Sequence, residues 1–316
     1  MIKHYLAHLY VFITCFLIFS FHSKSQIANY SQYFNTQVYA CPSFAGTGEA
    51  GRATLNNRKS PNLDGFRTFG FVFDWKSTKL NSGFAFMINR DEIGGRLMNV
   101  TNFGLAYNFH IKLNNDWHVR PGMNLTYNYQ YVDYMNLVFS DQLYRYQINP
   151  MLGIQTPRET IFQSRGYLNS AASFLVNNNK YTFGFIVNNL TRPEKSFLKS
   201  DQKSDFEFIL LGDIKFTWGN QPKNKTTMRN IVTTYMYRIA NDKHQLDLAA
   251  YWSLPKFLKI GSGLRGIPVT GENKKIDALL LLMVLEWSNM QIGYSYDFAL
   301  ADFVNFQEIS FVYEFK

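Results

Sequence analysis

Residues 117–133 carry two faces on one line of chain. The odd positions are Trp117, Val119, Pro121, Met123, Leu125, Tyr127, Tyr129 and Tyr131; the even ones include His118, Arg120, Gly122, Asn124, Thr126, Asn128 and Gln130. A period of two puts alternate side chains on opposite faces of a strand. Strands of soluble sheets average about 5–6 residues, so a strand this long points to a bilayer-crossing wall. The pattern recurs. Phe69, Phe71, Phe73 and Trp75 alternate with Thr68, Gly70 and Asp74. Phe103, Leu105, Tyr107 and Phe109 alternate with Asn102, Gly104, Asn108 and His110. Tyr181, Phe183, Phe185 and Val187 alternate with Thr182, Gly184 and Asn188.

Extending the reading gives about fourteen strands, at 50–58, 66–76, 82–89, 99–112, 117–133, 166–176, 180–191, 205–218, 229–240, 244–253, 257–265, 276–287, 290–297 and 307–316. Many reach the roughly 9–11 residues that a tilted strand needs to cross a bilayer. The even-numbered connections are short and the odd-numbered ones longer, with 219–228 and 241–243 as exceptions. Bacterial barrels have short periplasmic turns and longer external loops. The expected fold is therefore all-β: a transmembrane antiparallel β-barrel with periplasmic N- and C-termini. Segment 278–285 is apolar at every position, which fits either a buried helix or a strand with an apolar inner face.

Composition agrees. Aromatic residues make up 17 % and charged residues 17 %, against about 25 % charged in soluble domains. Mean hydropathy is only −0.20, too polar for a bundle of membrane helices. A barrel reconciles the two because only alternate residues meet lipid.

Lys3 and His4 precede the apolar run Leu9–Phe21, and Ser23-Lys24-Ser25 supplies small residues for cleavage. Residues 1–25 therefore read as a signal peptide; the run is too short for a spanning helix of about 20 residues. Cys15 leaves with it, making Cys41 the one mature cysteine and excluding an internal disulfide. Loss of Lys3 and Lys24 takes the formal charge from +9 to +7. The basic residues are scattered among connections, as at 195–203, 223–229 and 274–275, which reads as solvated loop charge and not as a nucleic-acid surface.

Chemical motifs are scarce. Gly261-Ser262-Gly263-Leu264-Arg265-Gly266 fits the dinucleotide pattern, but Ile267-Pro268-Val269 follows where a helix must begin. The mature histidines, His110, His118 and His244, lack ligand spacing for zinc. Asp91-Glu92 is the one adjacent acidic pair and reads as a solvated loop. No Ser/His/Asp set can be assembled, and the Asn99, Asn124, Asn189 and Asn224 sequons read as chance matches in a bacterial chain. Neither an enzyme nor a cofactor or metal is expected.

Tyr30-Ser31-Gln32-Tyr33-Phe34-Asn35 leads to Pro42-Ser43-Phe44-Ala45-Gly46, and Gly293-Tyr294-Ser295-Tyr296-Asp297 is followed by Gln307-Glu308-Ile309. These segments, with Asn189–Pro193, Ser196 and Phe197, resemble the PorP/SprF family of type IX secretion system membrane proteins. The residues that carry the resemblance are Ser31, Gln32, Tyr33, Pro42, Ala45, Gly46, Gly293, Tyr294, Ser295, Tyr296, Asp297 and Glu308. Cys41 stands where the family has Asn, and Ser43-Phe44 where it has Ala and a variable residue. Phe311, Tyr313 and Phe315 look like an outer-membrane assembly signal, although Lys316 takes the final place.

The resemblance implies an outer-membrane barrel of Bacteroidota, without enzymatic activity, that assists secretion or surface attachment of a partner such as a gliding adhesin. The expected partners are outer-membrane lipid, a secreted adhesin or cargo protein and the type IX secretion machinery; nucleic acid is not one. The expected division is 1–25 signal peptide, 26–49 periplasmic segment for docking on the machinery and 50–316 barrel, with external loop 134–165 holding the partner. Two other readings are an outer-membrane transporter or channel for hydrophobic small molecules, its path lined by 278–285, and a secreted soluble β protein.

Overall fold

The computed structural model describes residues 30–33, 35–48, 50–62, 65–95, 97–114, 116–133, 164–195, 203–218, 229–240, 243–254, 257–269, 275–300 and 304–315. The signal segment 1–25 and nearly all of loop 134–165 lie outside the described residues.

The wall is built from β1 (Arg52–Lys59), β2 (Arg67–Ser77), β3 (Ser82–Ile93), β4 (Met98–Phe109, resuming as Ile111–Lys112), β5 (His118–Val132), β6 (Ser164–Asn177) and β7 (Tyr181–Asn188). It continues through β8 (Glu207–Trp218), β9 (Arg229–Ala240), β10 (Lys243–Leu254), β11 (Leu258–Pro268), β12 (Ala278–Trp287), β13 (Met290–Ala299) and β14 (Phe306–Glu314). Each strand pairs antiparallel with its chain neighbours. β1 also pairs with β14, from Arg52 opposite Glu314 to Lys59 opposite Gln307, and the ring closes. The ring of strands closes on itself, so most wall backbone groups of the described residues find partners in neighbouring strands. In a hydrocarbon setting that closure is obligatory for a sheet.

The side chains sort as period two demands. On β2, Thr68, Val72 and Asp74 are buried while Phe69 and Trp75 are exposed. On β4, Gly104, Ala106 and Asn108 point inward and Phe103, Leu105, Tyr107 and Phe109 outward. The exterior is therefore aromatic and aliphatic, and much of the buried interior is polar: Asn56, Thr54, Asn108, Asp297, Glu308 and Ser310 are all buried. Water would be a poor solvent for that exterior and lipid a good one, which removes the secreted soluble reading. Near one end, Phe73 and Trp75 (ring centroids 5.6 Å), Trp75 and Phe84 (5.5 Å) and Phe84 and Tyr107 (5.4 Å) form a band across β2–β4. Phe315 joins it edge-on to Phe73 at 5.8 Å. Such a band is the aromatic girdle of a membrane–water interface.

The structure settles the choice left open for 278–285 and lengthens the third strand. The segment 278–285 is strand β12, not helix. Its inward residues Leu280, Leu282 and Val284 pack with Ala249 and Tyr251, so both faces are apolar and period two vanishes. Gly261 and Gly263 of β11 stand between these two groups in register, Tyr251 opposite Gly261 and Gly261 opposite Leu282. The dinucleotide-like motif thus lies in β11, Gly261 and Gly263 leaving room for neighbours and Gly266, at φ +64, sitting at a break in register with β10. The third strand runs on past 89 to Ile93. Asp91, read as loop, is buried and accepts a bond from Asn89 Nδ2 at 2.9 Å.

The largest departure is the N-terminal segment. The sequence reading set 26–49 apart from the barrel. Its described residues, 30–33 and 35–48, instead fill the lumen. α1 (Gln37–Ala40) and a 3₁₀ turn (Pro42–Phe44) lie there, with Val38, Cys41, Phe44 and Ala45 buried against Val72, Met87, Ala106, Leu175 and Ile186. One turn of helix is far too short to be stable alone; wall contacts hold it.

A candidate functional site inside the lumen

The plug begins level with Asp297 and Glu308, toward the odd-numbered connections, and descends to Gly46 beside Trp75 and Gly83, toward the even-numbered turns. A turn at its upper end is closed by its own backbone: Asn35 and Thr36 both donate N–H to the Gln32 carbonyl, at 2.9 and 3.1 Å. That turn presents Ser31 and Gln32 to the wall.

Two strands meet them. The Ser31 N–H donates to Glu308 Oε2 at 2.5 Å, and Ser31 Oγ donates to Asp297 Oδ2 at 2.7 Å. Gln32 Nε2 donates to the Glu308 carbonyl at 3.0 Å and to Ser295 Oγ at 3.3 Å. Ser310 Oγ donates to Gln32 Oε1 at 2.6 Å, and Asn35 Nδ2 to Ser310 Oγ at 3.0 Å. Gln32, Ser295, Glu308 and Ser310 are fully buried. Gly293 lies where any side chain would strike Gln32 Oε1 and Ser310 Oγ. The small residue in that strand makes room for the plug's amide.

Charge surrounds the contact. Arg265 Nη1 reaches Asp297 Oδ2 at 2.5 Å and Ser31 Oγ at 2.8 Å, and Arg58 Nη2 reaches Asp297 Oδ2 at 3.1 Å. Asn56 Nδ2 donates to Glu308 Oε1 at 3.1 Å. Arg58 also lies 3.8 Å over the Phe306 ring. Asp247 stands 4.0 Å from Arg265 Nε and accepts the Gly266 N–H at 2.7 Å. Two guanidinium groups therefore face three carboxylates away from bulk water. Such groups persist only when paired and hydrogen-bonded, and the plug supplies part of that pairing through Ser31.

A second anchor sits lower. Asn108 Nδ2 donates to the Ala45 carbonyl at 2.6 Å, and the Gly46 N–H to Asp74 Oδ2 at 2.9 Å, with Asp74 also held by Arg52 Nε at 3.0 Å. Ser43 Oγ is 2.6 Å from Ser173 Oγ on β6. Gly46 has φ +62, and a Cβ there would lie 2.5 Å from the Trp75 carbonyl oxygen. Pro42 opens the 3₁₀ turn, where its missing N–H costs nothing. Between the anchors, the Tyr39 hydroxyl shares its one proton between the carbonyls of Ile88 (2.6 Å) and Phe71 (3.0 Å), and Tyr33 meets Thr234 on β9. Wall contacts thus arrive from β2, β3 and β4, from β6 and β9, and from β13 and β14.

Ten of the twelve residues singled out from the sequence face this interior. Ser31, Gln32, Gly293, Ser295, Asp297 and Glu308 converge at the upper anchor, Pro42, Ala45 and Gly46 at the lower, and Tyr33 lies between. Tyr294 and Tyr296 do not join them: both face outward, Tyr296 against Phe298 at 4.5 Å. Sequence reasoning missed Asn56, Arg58, Asp247, Arg265 and Ser310. The signal that could have found the charged ones is parity. An isolated charge on the inward face of a strand needs an inward partner.

Cys41 is completely buried. His110 and His118 meet across the β4–β5 hairpin, Nε2 to Nδ1 at 3.0 Å. Among the described residues no group of three or more His, Cys, Asp or Glu side chains gathers as for a metal.

The sequence profile described as type IX secretion system membrane protein PorP/SprF matches residues 22–313. No match was found among curated proteins. Solved structures with a similar fold include the Acinetobacter baumannii outer membrane protein Omp33, at 8 % identity over 84 % of this chain and 98 % of that one, TM-score 0.49. The Pseudomonas putida toluene transporter TodX matches at 8 % identity over 93 % and 98 %, TM-score 0.43. A KdgM porin matches at 9 % identity over 84 % and 99 %, TM-score 0.38.

Proposed function

The chain belongs to the PorP/SprF family of type IX secretion system membrane proteins, and from that premise we propose that it is a closed, non-enzymatic outer-membrane platform assisting secretion or surface attachment of a partner protein such as a gliding adhesin. The observation that carries this reading is the plug. A segment of the chain itself crosses the lumen and is bonded to opposite walls. A barrel occupied in this way is suited to acting through its rims.

The alternation of connection lengths supports an orientation with the odd-numbered connections outside and the even-numbered turns in the periplasm. Loop 134–165 then carries the partner contact, because a connection of that length is usually functional. With 30–48 taken up by the barrel, docking on the secretion machinery falls to the even-numbered turns. The transporter reading drew on 278–285, but the inward side chains there are packed against Ala249 and Tyr251, which leaves no apolar path along them.

The test is deletion of 134–165 in cells that display the partner. The barrel still assembles, shown by heat-modifiable migration, and the partner is lost from the surface. Unchanged display with an assembled barrel would sink the assignment to that loop.

A further inference from the structure

Beside the plug, between it and β3–β10, the lumen holds a cavity of about 290 Å³, close to the small end of ligand pockets. Its wall is a register-matched row of amides. Asn89 stands opposite Asn102 on β3–β4, and Asn102 opposite Asn128 on β4–β5; Asn124 and Asn169 line the next levels down. Tyr30, Tyr33 and Tyr39 of the plug line its other side.

Two features say that this wall is unfinished. Asn102 and Asn124, both on the lining, make no side-chain hydrogen bond among the described residues. Both side chains are therefore free to turn their amides to a ligand in the cavity. The lining charges also nearly balance. Asp91, Glu207 and Asp247 are offset by Lys195 and Arg238, and Arg238 is already paired with Glu207 at 3.3 Å. A strongly charged ligand finds no net field of opposite sign there.

We propose that the cavity is a binding site for a neutral carbohydrate, one or two sugar rings in size. Asn89, Asn128 and Asn169 are held by Tyr30, Asp91, Thr126 and Asn189, while the amides of Asn102 and Asn124 are left to meet sugar hydroxyls, and the plug tyrosines supply apolar ring surface for the C–H faces. An extended peptide fits less well. Its backbone is best matched by an open strand edge, and the lining offers side-chain amides and rings instead. This site stands apart from the secretion reading and survives its failure.

The test is calorimetric titration of the full barrel in detergent with glucose, N-acetylglucosamine and sucrose, each separately, against Asn102→Leu and Asn124→Leu. Neither asparagine side chain makes a hydrogen bond among the described residues that the substitution would break, so both variants keep the heat-modifiable fold. At least one sugar is expected to bind the unaltered protein and to bind each variant about tenfold more weakly, the worth of one hydrogen bond. Absence of binding by all three sugars overturns the proposal, as does binding of glycyl-glycyl-glycine in their place. Sugar binding that neither variant weakens overturns it too, since the site would then lie elsewhere.

Discussion

Replacing Glu308 by Ala should unseat the plug without opening the barrel. Glu308 is fully buried, accepts the Ser31 N–H at 2.5 Å and Asn56 Nδ2 at 3.1 Å, and lies within the Arg58–Asp297–Arg265 cluster. Its removal strands two buried donors and leaves two guanidinium groups with one carboxylate fewer. Breaking one partner of a buried charged set costs about 3–5 kcal/mol. The bonds of Ser31 Oγ to Asp297 and of Gln32 to Ser310 remain, so about 3 kcal/mol is the better figure. Cys41 reports the change. It is inaccessible in the seated plug, so labelling requires the segment to leave the wall. If opening is faster than labelling, the rate follows the open population, and about 3 kcal/mol raises it ~10²-fold. The assay is maleimide labelling of the detergent-solubilised barrel over time, with Cys41→Ser as the blank. Equal rates in Glu308→Ala and the unaltered protein would refute the reasoning. So would labelling of the unaltered protein as fast as that of the denatured chain.

Other perturbations probe separate parts. Gly46→Val forces a branched side chain onto a left-handed backbone and against the Trp75 carbonyl; strain of about 1–3 kcal/mol should lower the temperature at which the folded band is lost on heat-modifiability gels, and an unchanged temperature would contradict it. In planar bilayers the unaltered protein should give no steady channel current, whereas deletion of 30–48 should give discrete openings; large stable conductance before deletion would contradict a seated plug.

The wall was legible in the sequence because one face of each strand is lipid-soluble and the other is not. The 117–133 alternation became β5, His118–Val132, almost without adjustment. Legibility failed where the lumen departs from plain polar lining. β12 meets an apolar neighbour inside, and its period was hidden. β3 was cut short because Arg90-Asp91-Glu92 looks like solvated loop, yet Asp91 faces inward and is bonded there. The plug was harder still. It has one helical turn and a 3₁₀ turn, so no periodicity announces it, and its partners lie some 270 residues away, as Ser31 does from Asp297 and Glu308. What showed was residue type. Serine, glutamine, glycine and lone charges at both chain ends carried the family resemblance, and their common reason is the contact between plug and wall. Arg58, Arg265 and Asp247 stayed invisible because pairing an inward charge requires the barrel's register, which a linear reading does not provide.

The account rests on the N-terminal segment being seated against the wall. The most direct measurement is a double substitution, Ser43→Cys with Ser173→Cys, made in a Cys41→Ser background. The two hydroxyl oxygens are 2.6 Å apart, so the paired thiols lie within reach of a disulfide when the plug is in place. Mild oxidation of the folded barrel should cross-link them nearly completely, with a mobility shift on non-reducing gels that is lost on reduction. A barrel that is folded by heat-modifiability and whose two cysteines stay free under the same oxidation would contradict the central claim.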